Sequence, residues 1–279
     1  MADDSTFDRG AFTRALTTRR MGRTLIARAR VESTNDVAWE TLAAGMPDGT
    51  TVVTDEQTRG RGRAGRSWWM APGRALALSI TLHPGCDARE LGALPLVVGL
   101  ALAEAIERLG TRSRGTVRLK WPNDVLIGER KLAGILCESR RRAGAGDAVV
   151  VGVGVNVAQQ AGEFPAEIAS SATSLAIEGV RTSRERVAAE LLNRLEPLWD
   201  EHAEGGREVV LERWRARADF WGREVTVRTP AGAVTGVARR LDEDGGLVVA
   251  LAGGAETTVL AGDLEIGAAA APGAGRGEP

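Results

Sequence analysis

Cysteine and histidine are scarce in this chain of 279 residues: there are two of each, Cys86 and Cys137, His83 and His202. The cysteines show no CxxC spacing and the histidines no metal-ligand spacing, which argues against a disulfide framework and against a zinc site. No apolar run approaches membrane-spanning length. The opening, MADDSTFDRG, is acidic and lacks the apolar core of a signal peptide. A reduced, cytoplasmic protein with no membrane contact is the expectation. Excess charge of one sign is missing too: 36 Lys and Arg stand against 37 Asp and Glu, a formal net charge of −1. A protein that grips duplex DNA through many phosphates is more basic than this, at least over one domain.

Against that neutral background stands TRGRGRAGRSWW (58–69), where Arg59, Arg61, Arg63 and Arg66 are interleaved with Gly60, Gly62 and Gly65. Glycine lets a backbone turn and approach a ligand closely. Each guanidinium presents a planar fork that matches a carboxylate or a phosphate. The stretch lacks the lysine and Ser/Thr of a phosphate-binding P-loop. Composition alone reads equally well as a solvated RG-type linker that binds RNA. Its place between two strands, and the cost of exposing Trp68 and Trp69, favour a loop that is ordered, or becomes ordered on binding, against a sheet.

The rest of the chain supplies that sheet. TLIARARV (24–31) and TTVVTDE (50–56) read as strands. Between them Ser33 is a helix N-cap candidate with Asp36 three residues on, opening a helix to about Ala44. ALALSITL (75–82) alternates, with Leu76, Leu78, Ile80 and Leu82 on one face. A buried helix is expected over 95–109, with Pro95 near its first turn. VRLKW, KLAGILCES and AVVVGVGVNV are strands joined by short loops, hence antiparallel neighbours. An amphipathic helix follows over 183–202, and a further one carries Trp214. Past Phe220 short β segments alternate with glycine-rich turns, as in a small barrel of about fifty residues. A short helix is expected over 12–20, and the low-complexity tail 268–279 is expected to be disordered.

Three further stretches carry polar groups suited to a site. In KWPND (120–124), Pro122 fixes a turn that presents Asn123 and Asp124, although an ordinary turn has the same composition. In KLAGIL (131–136), Lys131 either snorkels at a strand edge or sets an ammonium beside a reacting anion. In AVVVGVGVNV (148–157), the odd-numbered valines share one face. Val150, Gly152, Gly154 and Asn156 form the other, nearly bare face. A flat ligand or a closely packed helix fits there equally well. The partial GxG fails the dinucleotide fingerprint, since no helix follows it.

In order and spacing, STN (33–35), DEQTRGRGRAGRSW, KWPNDV, KLAGIL and GVGVNV together resemble the biotin protein ligases, the biotin–[acetyl-CoA-carboxylase] ligases. The resemblance implies an α+β fold: a mixed, mainly antiparallel sheet with flanking helices, class II synthetase-like, over 24–218. A 1–23 extension precedes it, and an SH3-like barrel follows over 219–267. It implies an ATP- and Mg2+-dependent ligase that activates biotin as biotinyl-5′-AMP and transfers it to a lysine of a biotin carboxyl carrier protein. Lys131, Arg63 and Arg61 would be catalytic. Ser33, Thr34, Asn35, Gln57, Arg61, Gly62, Arg63 and Lys131 would bind biotin. Arg66, Trp68, Asn123, Asp124 and Asn156 would face the nucleotide, with Asn123 and Asp124 as magnesium contacts. About 23 residues before the first strand are too few for the winged-helix domain of the bifunctional members, so no operator binding is expected. A lipoate or octanoyl transferase, an RNA-binding module and a biotin storage protein are the alternatives.

Overall fold

The computed structural model describes residues 5–83, 90–110, 117–142 and 146–267; the tail 268–279 lies outside the described residues. The chain opens with α1 (Arg9–Ala15), β1 (Leu25–Val31), α2 (Thr34–Ala43), β2 (Thr51–Gln57) and β3 (Ala75–Leu82). After α3 (Glu90–Arg108) come β4 (Val117–Lys120), β5 (Asp124–Ile127), β6 (Arg130–Arg142) and β7 (Gly146–Asn156). Two helices, α4 (Arg184–Ala203) and α5 (Arg207–Arg215), lead into β8 (Glu224–Thr229), β9 (Gly232–Leu241), β10 (Leu247–Ala250), β11 (Glu256–Val259) and β12 (Asp263–Ile266).

Seven strands form one sheet in the order β1-β2-β3-β7-β6-β5-β4. Only β1 and β2 run parallel, as a crossover through α2 requires; the remaining neighbours are antiparallel. The valine alternation of β7 decides its two faces as the period of two predicts. Val149, Val151, Val153, Val155 and Val157 enter the main core with α3 and α4, while Val150 packs with Trp39 and Leu42 of α2. On β3 both faces are buried, because α2 and the neighbouring hairpin cover the alanine–serine face that its pattern left open. The last five strands make a separate antiparallel sheet, β11-β10-β9-β8-β12, the SH3-like unit. It is fastened to the large sheet where buried Trp121 donates its indole N–H to the Gly245 carbonyl at 3.0 Å.

The first 23 residues belong to the core more than the sequence suggests. Phe12 and Met21 are fully buried. The helix expected over 12–20 lies earlier, because Asp8 caps it by accepting from the Ala11 N–H at 2.8 Å. Beyond Leu16 the backbone donors turn to α4. Thr17 N–H donates to Asn193, and the N–H groups of Arg19, Arg20 and Met21 all donate to the buried carboxylate of Glu196 at 2.6–3.0 Å. Burial opposes ionisation of Glu196, but those three N–H groups outweigh it and hold its carboxyl below the usual carboxylate range. A depressed folded-state pKa stabilises the native form above the unfolded value of about 4.3 and loses that contribution as pH falls through the folded value. Glu196→Ala is therefore expected to cost roughly 2–4 kcal/mol at pH 7 by orphaning buried donors. It should also flatten the loss of stability as pH falls below the ordinary carboxylate range, as read by denaturant unfolding at several pH values.

Candidate active site

Most of the residues singled out in the sequence meet on the large sheet, around an open cleft. Ser33, Thr34, Asn35, Gln57, Arg61, Gly62, Arg63, Arg66, Trp68, Asn123 and Lys131 all line it, together with Gly134, Gly152 and Gly154.

The polar end is built where β1 passes into α2. Ser33 occupies the N-cap position in extended conformation, but its side chain makes no capping bond. The expected partnership with Asp36 is replaced by one across the cleft: Asp36 accepts from Arg61 at 2.7 Å. Gln57, at the end of β2, accepts at its Oε1 from the Thr34 N–H at 2.8 Å.

The arginine stretch is a tight hairpin. Arg61 bridges to Ser67, Gly62 N–H donates to the Arg66 carbonyl at 2.7 Å, and Trp68 N–H donates to the Gly60 carbonyl at 2.9 Å. A Cβ on Gly60 would stand 2.4 Å from the Trp68 carbonyl oxygen, so the two arms could not approach this closely with any other residue. The chain's own carboxylates hold three of the guanidinium groups. Arg59 meets Glu32 at 2.9 Å, Arg61 meets Asp36 and Glu138 at 2.7 and 3.2 Å, and Arg66 meets Asp263 of β12 at 2.5 Å. All these partners are partly exposed, so each pair contributes about 1 kcal/mol or less and yields readily to a stronger anion. The hydrogen bond that Arg61 donates to Asp36, with both carboxylates nearby, raises the Arg61 pKa against the opposing effect of burial.

Arg63 differs. It is half-buried, and its hydrogen bonds go to neutral oxygens, Asn123 Oδ1 at 3.2 Å and the Gly262 carbonyl at 3.4 Å. Burial lowers its pKa from the ordinary arginine value. A guanidinium desolvated in this way is stabilised by any anion that enters the cleft.

Lys131 reaches the cleft through an irregularity that no sequence pattern announced. Leu126 pairs with Lys131 and Val125 with Ala133, so Leu132 is an extra residue in the β5–β6 ladder. Three positions apart, Lys131 and Gly134 would lie on opposite faces of a regular strand; the bulge brings both to the cleft while Leu132 stays in the core. The ammonium lies 2.7 Å from Asp124 Oδ1 and 5.8 Å from the centre of the Trp68 ring. Asp124 itself does not line the cleft; its neighbour there is Lys131.

The bare face of β7 is occupied from within. A Cβ on Gly152 would fall 2.3 Å from Asn35 Oδ1, and one on Gly154 would fall 2.3 Å from the Trp68 ring. Asn156, expected at the ligand, lies outside the cleft lining. Its amide donates to the Thr173 carbonyl and accepts from Gln159, each at 2.9 Å, and so braces the segment that pairs with Lys131. The Cys137 thiol is no nucleophile: burial pushes its pKa up to about 12, so it stays protonated at neutral pH.

Residues 27–156 match the biotin/lipoate A/B protein ligase family, and residues 220–267 match the biotin protein ligase C-terminal domain. The biotin–[acetyl-CoA-carboxylase] ligase of Mycobacterium tuberculosis is 36% identical over 240 residues, covering 85% of this chain and 86% of that protein. The bifunctional ligase/repressor BirA of Bacillus subtilis is 32% identical over 253 residues, covering 90% of this chain and 77% of that one. The biotin protein ligase of Aquifex aeolicus, solved in complex with biotin and ATP, superposes with a TM-score of 0.72 at 32% identity over 88% of this chain and 98% of that chain. The chain belongs to the biotin protein ligase family.

Proposed function

We propose that this enzyme joins biotin to AMP in the cleft and then passes the biotinyl group to a lysine of a biotin carboxyl carrier protein in the cytoplasm. The observation that carries the reading is Arg63, a half-buried guanidinium whose hydrogen bonds among the described residues go to neutral oxygens, in a cleft lined both by uncharged polar groups and by further cations. The Aquifex relative holds biotin and ATP together, which matches such a lining.

In the first step an oxygen of the biotin carboxylate attacks the α-phosphorus of ATP. The bond to the β-phosphate bridge breaks and pyrophosphate leaves. In the second, the uncharged carrier amine attacks the acyl carbon, the bond to the AMP oxygen breaks, and the amine proton is released. Both steps bring negative groups together or develop charge on oxygen, so fixed cations lower both barriers, and the first step needs no proton transfer. Ser33, Thr34, Asn35 and Gln57 hold the ureido end. Arg61, Gly62 and Arg63 cover the linkage, and Lys131 leaves Asp124 for the reacting oxygens. Arg66, Trp68 and Asn123 flank the nucleotide, and Asn156 supports that side indirectly. Magnesium favours oxygen ligands and substrate phosphates; Asn123 and Asp124 would offer such oxygens once Arg63 and Lys131, their partners here, turn to the substrates. No step is drawn through the ion.

Transfer of labelled biotin to a carrier domain, with and without ATP, tests this reading. Lipoate serving in place of biotin would overturn it in favour of the lipoyl branch of the family. Arg63→Gly is expected to leak free biotinyl-AMP, because the acyl phosphate then meets water. The check is chromatography of the adenylate released per turnover. Retention equal to the parent's would remove the lid role.

A further inference from the structure

Ser79, on β3, is fully buried and touches two of the residues assigned to the ureido end. Its Oγ lies 2.7 Å from Thr34 Oγ1 and 2.7 Å from Asn35 Oδ1, while Thr34 Oγ1 lies 3.1 Å from Gln57 Oε1. Gln57, Thr34, Ser79 and Asn35 thus form a relay with three oxygen–oxygen gaps and only two hydroxyl protons to fill them. With an acceptor oxygen at each end, one gap has no hydrogen. The Gln57 end is fixed, because its Oε1 also takes the Thr34 N–H at 2.8 Å. The Asn35 end is not: its Nδ2 is buried without a partner among the described residues.

Amide oxygen and nitrogen have nearly the same shape, so the hydrogen-bond network decides which stands where. Turning the Asn35 amide over lets Nδ2 donate to Ser79, Ser79 donate to Thr34, and Thr34 donate to Gln57. Every gap then holds one proton. The Asn35 oxygen then takes the buried position now held by Nδ2, as an unpaired acceptor in a residue that lines the cleft, while Gln57 turns its donor Nε2 away from Thr34.

We propose that Ser79 is a positioning residue that sets this polarity, so that Asn35 accepts from a ureido N–H of biotin while Gln57 donates to the ureido oxygen. This rests on the biotin reading above. Thr34, Asn35 and Gln57 touch the ligand; Ser79 acts only through them. Gly152 makes the arrangement possible by leaving room for the amide.

The test is equilibrium binding of biotin, and of biotin methylated at either ureido nitrogen, to the parent, to Ser79→Ala and to the isosteric Asn35→Asp. The parent should favour biotin over one of the methylated forms by roughly tenfold or more. Both variants should lose affinity for biotin by about that factor, and with it the discrimination against that analogue. A structural role alone would weaken all three ligands equally. Parental affinity and discrimination in Ser79→Ala, or an equal loss for every ligand, overturns the relay and leaves the biotin reading intact. Failure of the parent to bind biotin overturns the biotin reading and this inference with it. Should Ser79→Ala not fold, Asn35→Asp decides alone, since its side chain has the same size and cannot donate to Ser79.

Discussion

Replacing Lys131 by methionine is expected to slow biotin-dependent ATP–pyrophosphate exchange on the order of 10²–10³-fold, the effect of removing one fixed electrostatic donor from a reacting oxygen. Folding should be nearly unaffected. Lys131 is over a third exposed, and its pair with Asp124 contributes about 1 kcal/mol or less after solvent screening. Lys131→Arg is expected to restore little. The guanidinium is broader than an ammonium and would have to share its place beside the Trp68 ring. Exchange rates and thermal unfolding separate the two effects. A Lys131→Met enzyme with near-parental exchange would show that the ammonium serves only to hold Asp124.

Gly152→Ala and Gly154→Ala, two residues apart on one face of β7, should fail in different ways. The new methyl at 152 collides with Asn35 Oδ1 at 2.3 Å and Cγ at 3.0 Å, and that amide is buried between β3 and β7. Biotin affinity should fall by at least tenfold, about 1.4 kcal/mol, with the circular dichroism of the sheet retained. The methyl at 154 strikes the Trp68 ring instead, 2.3 Å from its nearest atom. Expulsion of the indole should shift tryptophan fluorescence and raise the release of adenylate, with a smaller effect on binding biotin alone. If both variants bind biotin like the parent, the bare face serves packing and not recognition.

How far these features could be read beforehand depended on whether the determining contacts are local. The alternation in ALALSITL and AVVVGVGVNV needs only the period of two, and both strands lie where it places them. The empty face of β7 was legible as empty; its occupants were not, since Asn35 and Trp68 arrive from other parts of the chain. Asn156 looked like a ligand because its alternation aims it off the core face, yet Thr173 and Gln159 claim its amide. β5 was missed because DVLI is short and follows a turn that reads as a loop. The extra residue at Leu132 has no local signature at all. Ser79 is one small residue on the alanine–serine face of β3; its importance lies in counting protons among four side chains from two strands and a helix. The N-terminal segment was misjudged for a similar reason: the carboxylate that orders it, Glu196, stands some 175 residues away.

The Arg66 partner, Asp263, is 197 residues distant, and the Gly262 carbonyl beside it faces Arg63. Two neighbouring groups of the small sheet thus hold the same hairpin that roofs the large one. The SH3-like unit therefore helps to set where that roof rests, so a substitution at Asp263 is felt at Arg66 from the far end of the chain.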